Sequence, residues 1–348
     1  MRHDAPGLTS QDLDALPRVS VRRAESAAAF QAIVAAEEPV VIEGALEHWP
    51  ALAAGRCSAA AMNEYLKSMD TGSFIEVLEA PPQTQGRFLY TPDLRGFNFS
   101  HRRRRISETL DHLLRSLGEP NAPFIAIQSL PLASHLPEFV RCNPAPFLPP
   151  QVLPRLWVAG PVRTQTHHDP EHNLACVIAG RRRFLLFPPE QVANLYVGPI
   201  DKPFPPPLSL VDPAAPDFDR FPRFRRALQA ARVAHLEAGD AIFMPKYWWH
   251  HVTSLEPYNA LVNYWWGNDA RGLERPMECF LTALLAIKDL PPGERAYWRT
   301  MFDTHVFKVP GEDPVAHIPV ALQGLLGKLD PELRARLKQQ LRMTYLKS

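Results

Sequence analysis

Two short stretches of this chain carry residues suited to chemistry. Thr-Gln-Thr-His-His-Asp spans 164–169, and Tyr-Trp-Trp-His-His spans 247–251. Two histidines and one carboxylate, with coordination positions left open, are the ligand set of a non-haem iron(II) site for oxygen chemistry. In an extended strand, side chains two apart share a face. His167 and Asp169 therefore converge, while His168 points away. A third ligand must come from a distant segment brought alongside. Either His250 or His251 supplies it if their strand lies next to the first.

Rival arrangements of the same histidines are weaker. A helix would pair His168 with His172, but Pro170 between them breaks it. Zinc also accepts two histidines and a carboxylate, yet the helical His-Glu-x-x-His spacing of zinc proteases is absent. An isolated His-x-Asp means little, because three-residue patterns recur by chance. Its weight depends on the elements around it.

From residue 123 the chain reads as short strands at 124–128, 155–159, 174–178, 182–187, 233–236, 241–244 and 259–265. Short strands separated by turn residues predict a barrel or sandwich. A double-sheet jelly roll of the cupin type is the economical choice. A two-residue loop at Gly180 would fold 174–178 and 182–187 into a hairpin and pair Arg182 with Val177 or Ala179. Those positions share parity with Asn173 and Asp169, so Arg182 would face the same interior.

Upstream, Ala24 to Ala36 reads as a helix with Phe30, Ile33 and Val34 on its apolar face. Pro39 to Ile42 reads as a buried strand, Phe74 to Leu78 as another, and Ser107 to Leu117 as a helix capped by Ser107. Downstream, Leu273 to Lys288 is helical. Pro331 to Tyr345 is a second helix, with Asp330 as N-cap and Arg342 and Lys347 at its cationic end. The expected architecture is mainly β with flanking helices. It comprises a mixed α/β segment over 1–122, a jelly-roll core over 123–268 and a helical region over 269–348. The last either covers an open end of the barrel or forms a homodimer interface.

Composition sets the outer bounds. At 348 residues and 46% hydrophobic, the chain can bury a full core in one large domain or two. A net charge of +1 gives no reason to expect nucleic acid or an anionic membrane as partner. Cys57, Cys142, Cys176 and Cys279 are too widely spaced for a disulfide or metal framework, which points to a reducing compartment. The first residues lack a signal-peptide core, and no apolar run is long enough to span a bilayer. A soluble cytoplasmic protein is expected. The 37 prolines cluster at 144–150, 203–207 and 213–222, as rigid loops or as walls of a substrate groove. The basic run His101 to Arg105 reads as a solvated loop, with docking of an acidic protein or RNA backbone as the functional alternative. Gly239-Asp240 reads as a tight turn feeding the strand towards His250.

At this point the motifs resemble a known family. His167 to Asn173, Gly180 to Pro189, Gly239 to His251 and Val262 to Trp265 occur in that order. Together they resemble the JmjC/cupin-like 2-oxoglutarate oxygenases, and most of all the branch containing the factor-inhibiting asparaginyl hydroxylase. Pro39 to Pro50 resembles that family's opening segment, so the likeness covers roughly residues 20–268. It is specific for the family, not for a substrate.

The resemblance implies iron(II) held by His167, Asp169 and the histidine after the Trp-Trp pair, His250. It assigns 2-oxoglutarate to Thr164, Asn173 and Arg182, with Asn263 and Trp265 lining the same pocket. The implied reaction uses dioxygen and hydroxylates a substrate C–H bond, releasing succinate and carbon dioxide. A protein or peptide side chain is the implied substrate, with small molecules or modified tRNA bases as alternatives. Demethylation of a methylated lysine uses the same chemistry. Two positions depart from the branch. Arg182 stands where lysine is common; arginine binds a carboxylate bidentately but needs more room. An upstream tyrosine is missing, because Phe124 to Gln128 offers only apolar side chains and Gln128. These departures keep two other readings in view: a metal-dependent cupin enzyme that does not use 2-oxoglutarate, and a non-catalytic interaction module.

Overall fold

Strand-period alternation of apolar residues builds two sheets that bury one face against each other. The computed structural model describes residues 9–24, 26–200, 207–268, 275–309 and 311–345. The strands among them are β1 (Ser20–Arg22), β2 (Val40–Ile42), β3 (Phe74–Ala80), β4 (Arg87–Phe88), β5 (Ser100–Arg105), β6 (Phe124–Pro131) and β7 (Pro154–Ala159). They continue as β8 (Arg163–His167), β9 (His172–Ala179), β10 (Arg182–Phe187), β11 (Arg232–Leu236), β12 (Ala241–Met244), β13 (Trp249–Ser254) and β14 (Asn259–Trp266). One sheet has nine strands in the order β1-β2-β12-β9-β14-β7-β6-β3-β5, and the other five, β11-β10-β13-β8-β4. From β7 to β14 the chain changes sheet at almost every turn. That winding is the double-stranded β-helix, or jelly roll.

The core lies between the sheets. Val177 of β9, Phe184 and Leu186 of β10, Ile242 of β12 and Leu261 of β14 share one buried cluster. Each such burial contributes about 1.5–3 kcal/mol. Adjacent residues point the other way: Ile178 and Phe243 pack under helices Ala27–Ala35, Pro50–Cys57 and Ala59–Lys67 through Phe30, Leu52 and Met62. The outer face of the smaller sheet, with Leu185, Phe187 and Trp249, is covered by Leu13, Leu195, Phe221 and Phe224. Residues before 123 extend both sheets: β2 pairs with β12, β3 with β6, and β4 with β8.

Three local expectations fail, each for a physical reason. The hairpin across Gly180 does not form. β9 pairs with β12 and β14, whereas β10 pairs with β11 and β13. The chain crosses between sheets at Gly180, whose φ is +74°. Arg182 still faces the interior, because it shares the inner face of β10 with Phe184. The basic run 101–105 is not a loop but strand β5, held by full antiparallel pairing with β3. Ser107 is no cap either. β5 runs directly into helix Ile106–Arg115, and the Glu108 carboxylate accepts the Arg105 backbone N–H at 3.3 Å.

Residues 269–348 form a second compact unit. Its helices include Pro276–Ala286, Pro292–Phe302 and Pro331–Tyr345. Asp330 caps the last, its Oδ1 accepting the Leu333 N–H at 2.8 Å. The expected helix start at Leu273, the cationic end at Lys347 and most of the proline run 203–207 lie outside the described residues. Among the described residues no helix is long and apolar enough to cross a membrane. All four cysteines are free.

Candidate metal centre

β8 and β13 lie side by side in the smaller sheet, with His167 directly opposite His250. Antiparallel pairing sets their ring centroids 4.2 Å apart. Asp169 follows β8 in a turn fixed to the other strand's approach, because the Tyr247 N–H donates to the Asp169 carbonyl at 2.8 Å. One ligand atom from each of His167, Asp169 and His250 falls within 4.8 Å of the others. His167 Nε2 is 4.0 Å from Asp169 Oδ1, and His250 Nε2 is 3.7 Å from Oδ2.

The surroundings orient each group. His167 Nδ1 lies 2.8 Å from the Gln165 carbonyl, and His250 Nδ1 lies 3.0 Å from the Trp248 carbonyl. A carbonyl only accepts, so each ring donates from Nδ1 and keeps the Nε2 lone pair for a metal. Burial, and then the neighbouring His167, push His250 down to about 4, so it is neutral near pH 7. The Asp169 carboxylate is split by its partners. Its Oδ2 accepts from Asn173 Nδ2 and from Trp265 Nε1, both at 3.1 Å. Oδ1 accepts neither of these donors. Two more hydrogen bonds continue this relay: Asn263 Nδ2 donates to Asn173 Oδ1 at 3.3 Å, and Trp157 Nε1 donates to Asn263 Oδ1 at 2.7 Å.

Behind the triad lies a narrow pocket lined by Thr164, Asn173, Arg182, Phe184, Asn263 and Trp265, with the three ligands. Arg182 is 6% exposed. Among the described residues it has no acidic partner, and its Nε has no hydrogen-bond partner. Burial lowers it to about 10, which leaves it charged at neutral pH. A buried, uncompensated guanidinium is costly. A carboxylate beside the metal is the group that fits it, by forked hydrogen bonds.

In front of the triad a cavity of about 560 Å³ opens, lined by Glu76, Phe99, His101, Gln128, Arg155, Trp157, Glu171 and Trp265 among others. All eight site residues expected from the sequence line one or both spaces. The asparagines differ in employment: Asn173 and Asn263 spend amide groups on Asp169 and on each other. His168 is turned aside against Trp249, ring centroids 4.6 Å apart. His251 is buried among charges that include Asp212, Arg163, Arg183 and Arg87. Sequence reasoning missed Trp157, Arg155 and Glu171. Strand parity in 155–159 could have found the first two, since Arg155 and Trp157 share a face.

The cupin-like domain family matches residues 26–272. Lysine-specific demethylase JMJ31 of Arabidopsis thaliana is 39% identical over 104 residues, 30% of this chain and 19% of the relative. HSPB1-associated protein 1 of Homo sapiens is 33% identical over 139 residues, 37% and 28% of the two chains. Jumonji C domain-containing protein 5 of Drosophila melanogaster is 34% identical over 114 residues, 32% and 27%. The aligned part spans less than a third of the length of these relatives.

Proposed function

This chain belongs to the cupin-like domain family, and from that premise we propose that it is an iron(II)- and 2-oxoglutarate-dependent oxygenase. Its reaction is hydroxylation of a C–H bond on a protein side chain. The observation that carries this reading is Arg182, a buried cation with no acidic partner among the described residues, in the same pocket as the His167, Asp169 and His250 triad.

When bound, iron(II), 2-oxoglutarate and dioxygen supply the oxidising chemistry: the oxo acid loses carbon dioxide to give succinate, and one oxygen atom enters the substrate C–H bond. The chain's own residues do the rest. His167 Nε2, His250 Nε2 and the Asp169 carboxylate would hold the ion. Arg182 would neutralise a carboxylate of the oxo acid, and Thr164 lines the same pocket. The rings of Trp157, Trp265 and Phe184 exclude water around the reacting atoms. The wide outer cavity suits a side chain presented from a larger molecule.

The test is anaerobic titration of metal-free protein with iron(II) and 2-oxoglutarate, following the visible charge-transfer band of the chelate. The band is expected in the wild type, absent in Asp169→Ala and weaker in Arg182→Ala. Full turnover in Asp169→Ala would sink the assignment. One observation favours a second reading, a metal-dependent cupin enzyme that uses no 2-oxoglutarate: among the described residues no tyrosine lines either space. Iron binding without the band is its signature. Demethylation of a methylated lysine proceeds by the same C–H attack, and the name of the JMJ31 relative motivates it. Formaldehyde release distinguishes it from hydroxylation.

A further inference from the structure

β5 ends the nine-stranded sheet, and among the described residues it pairs only with β3. In that pairing His101, Arg103 and Arg105 stand opposite Leu78, Glu76 and Phe74. Leu78, Glu76 and His101 also line the outer cavity in front of the triad. One face of this edge therefore leaves the cavity wall and carries arginines outward. At about 3.3 Å per residue, His101 to Arg105 covers roughly 13 Å.

The charge on this edge is left largely unbalanced. Among the described residues of the edge, Arg104 NH2 is 2.7 Å from Glu79 Oε2 and His101 Nδ1 is 3.7 Å from Glu76 Oε2. Arg103 and Arg105 both lie over the exposed Phe74 ring, at 4.7 and 4.6 Å, and Arg105 also donates to the Gly72 carbonyl. Arg102 and Arg103 form no ion pair among the described residues and are exposed.

We propose that the β5 edge docks an extended, acidic polypeptide segment by strand addition and thereby presents one of its side chains to the outer cavity; this rests on the oxygenase reading above. An edge strand offers alternating N–H and C=O groups, which an added peptide strand can satisfy. Four consecutive arginines repel a second copy of the same edge, as charged edges do, and attract an acidic strand. A nucleic-acid backbone would use the charge but lacks the alternating N–H and C=O groups that pair with an edge strand. The face geometry sets the sequence preference: acidic residues two and four positions from the residue that enters the cavity.

The experiment uses the whole chain and labelled peptides of about ten residues. One carries glutamate at alternate positions, and a second carries lysine there. An oligouridine of similar length is the polyanion control. Fluorescence anisotropy should show binding of the glutamate peptide alone, weakened by salt. Affinity should fall roughly tenfold in Arg102→Glu/Arg103→Glu. The single change Arg103→Gln should weaken it less, in the same direction, and covers the case in which the double variant misfolds. Equal binding to wild type and both variants overturns the proposal. So does oligouridine binding that falls in the variants while the glutamate peptide fails to bind. The iron chelate band, read on the same samples, separates the two claims. Docking without a band counts against the oxygenase reading, and a band without docking counts against the edge.

Discussion

The indole Nε1 of Trp265 donates to Asp169 Oδ2 at 3.1 Å, on the carboxylate oxygen that also accepts from Asn173. The two donors fix the carboxylate plane, with Oδ1 4.0 Å from His167 Nε2 and Oδ2 3.7 Å from His250 Nε2. The carboxylate is thereby held in one orientation beside both imidazoles.

Removing that donor while keeping an aromatic ring should loosen the metal site. Trp265→Phe leaves Asn173 alone on Oδ2. Outer partners of this kind are worth roughly 10–100-fold in metal affinity. A fall of about tenfold in iron(II) or cobalt(II) affinity is expected, with the thermal midpoint of the metal-free protein little changed. Unchanged metal affinity would show that the hydrogen bond does not orient Asp169.

Arg182 sets stability against binding. In the metal-free protein it is a buried charge without an acidic partner among the described residues. Arg182→Met replaces it with an apolar side chain of similar length. Such replacements are often stabilising, so a gain on the order of 1 kcal/mol is expected in denaturant melts without ligand. The wild type should rise in melting temperature when metal and 2-oxoglutarate are added together. The variant should show only the rise due to metal. A variant that is destabilised and still responds to 2-oxoglutarate would contradict the assigned role.

The part of the site legible in the sequence follows from strand parity. His167 and Asp169 share a face by spacing alone, and His168 turns away, here onto Trp249. The partner strand was less legible. His250 and His251 are neighbours, and only the pairing of His250 with His167 across β8 and β13 decides which ring turns inward. Arg182 reached the interior for a reason parity cannot see. Its strand lies in the opposite sheet from β9, because Gly180 turns the chain across the sandwich rather than back along it. The relay through Trp157, Asn263 and Asn173 joins three different strands. No local pattern announces it. Strand β5 was hidden by composition, since a run of arginines reads as solvated chain until Glu79 and Phe74 are placed beside it.

Acid should destabilise the fold through His251. Burial is the main cause that lowers this imidazole, to about 3, with Asp212 opposing and Arg163, Arg183 and Arg87 adding to the fall. The ring is therefore neutral in the folded chain and titrates near 6.5 in the unfolded one. As pH falls below about 6.5, the unfolded state takes a proton that the folded state refuses. Stability is full above that value and is lost steadily towards pH 3. One such proton adds a slope of up to about 1.4 kcal/mol per pH unit. Urea midpoints measured at several pH values with a chelator present should show this acid limb, and His251→Gln should make it shallower. An identical limb in the variant would assign the acid sensitivity to other groups.

Gly180 links the fold to the pocket. Its φ of +74° suits glycine, and a Cβ there would lie 2.5 Å from the Tyr258 carbonyl oxygen and 2.6 Å from Asn259 Oδ1. Gly180→Ala thus combines left-handed strain, about 1–2 kcal/mol for an L-residue, with a backbone clash. A destabilisation of at least about 2 kcal/mol is expected in denaturant melts. The clash can be relieved by displacing the start of β10, and Arg182 lies there, two residues on. The same variant should therefore weaken 2-oxoglutarate binding more than metal binding. Parallel titrations of metal alone, and of 2-oxoglutarate on the metal-loaded protein, read the two effects apart. Equal losses in both would mean that the whole sandwich, and not the β10 anchor, has shifted.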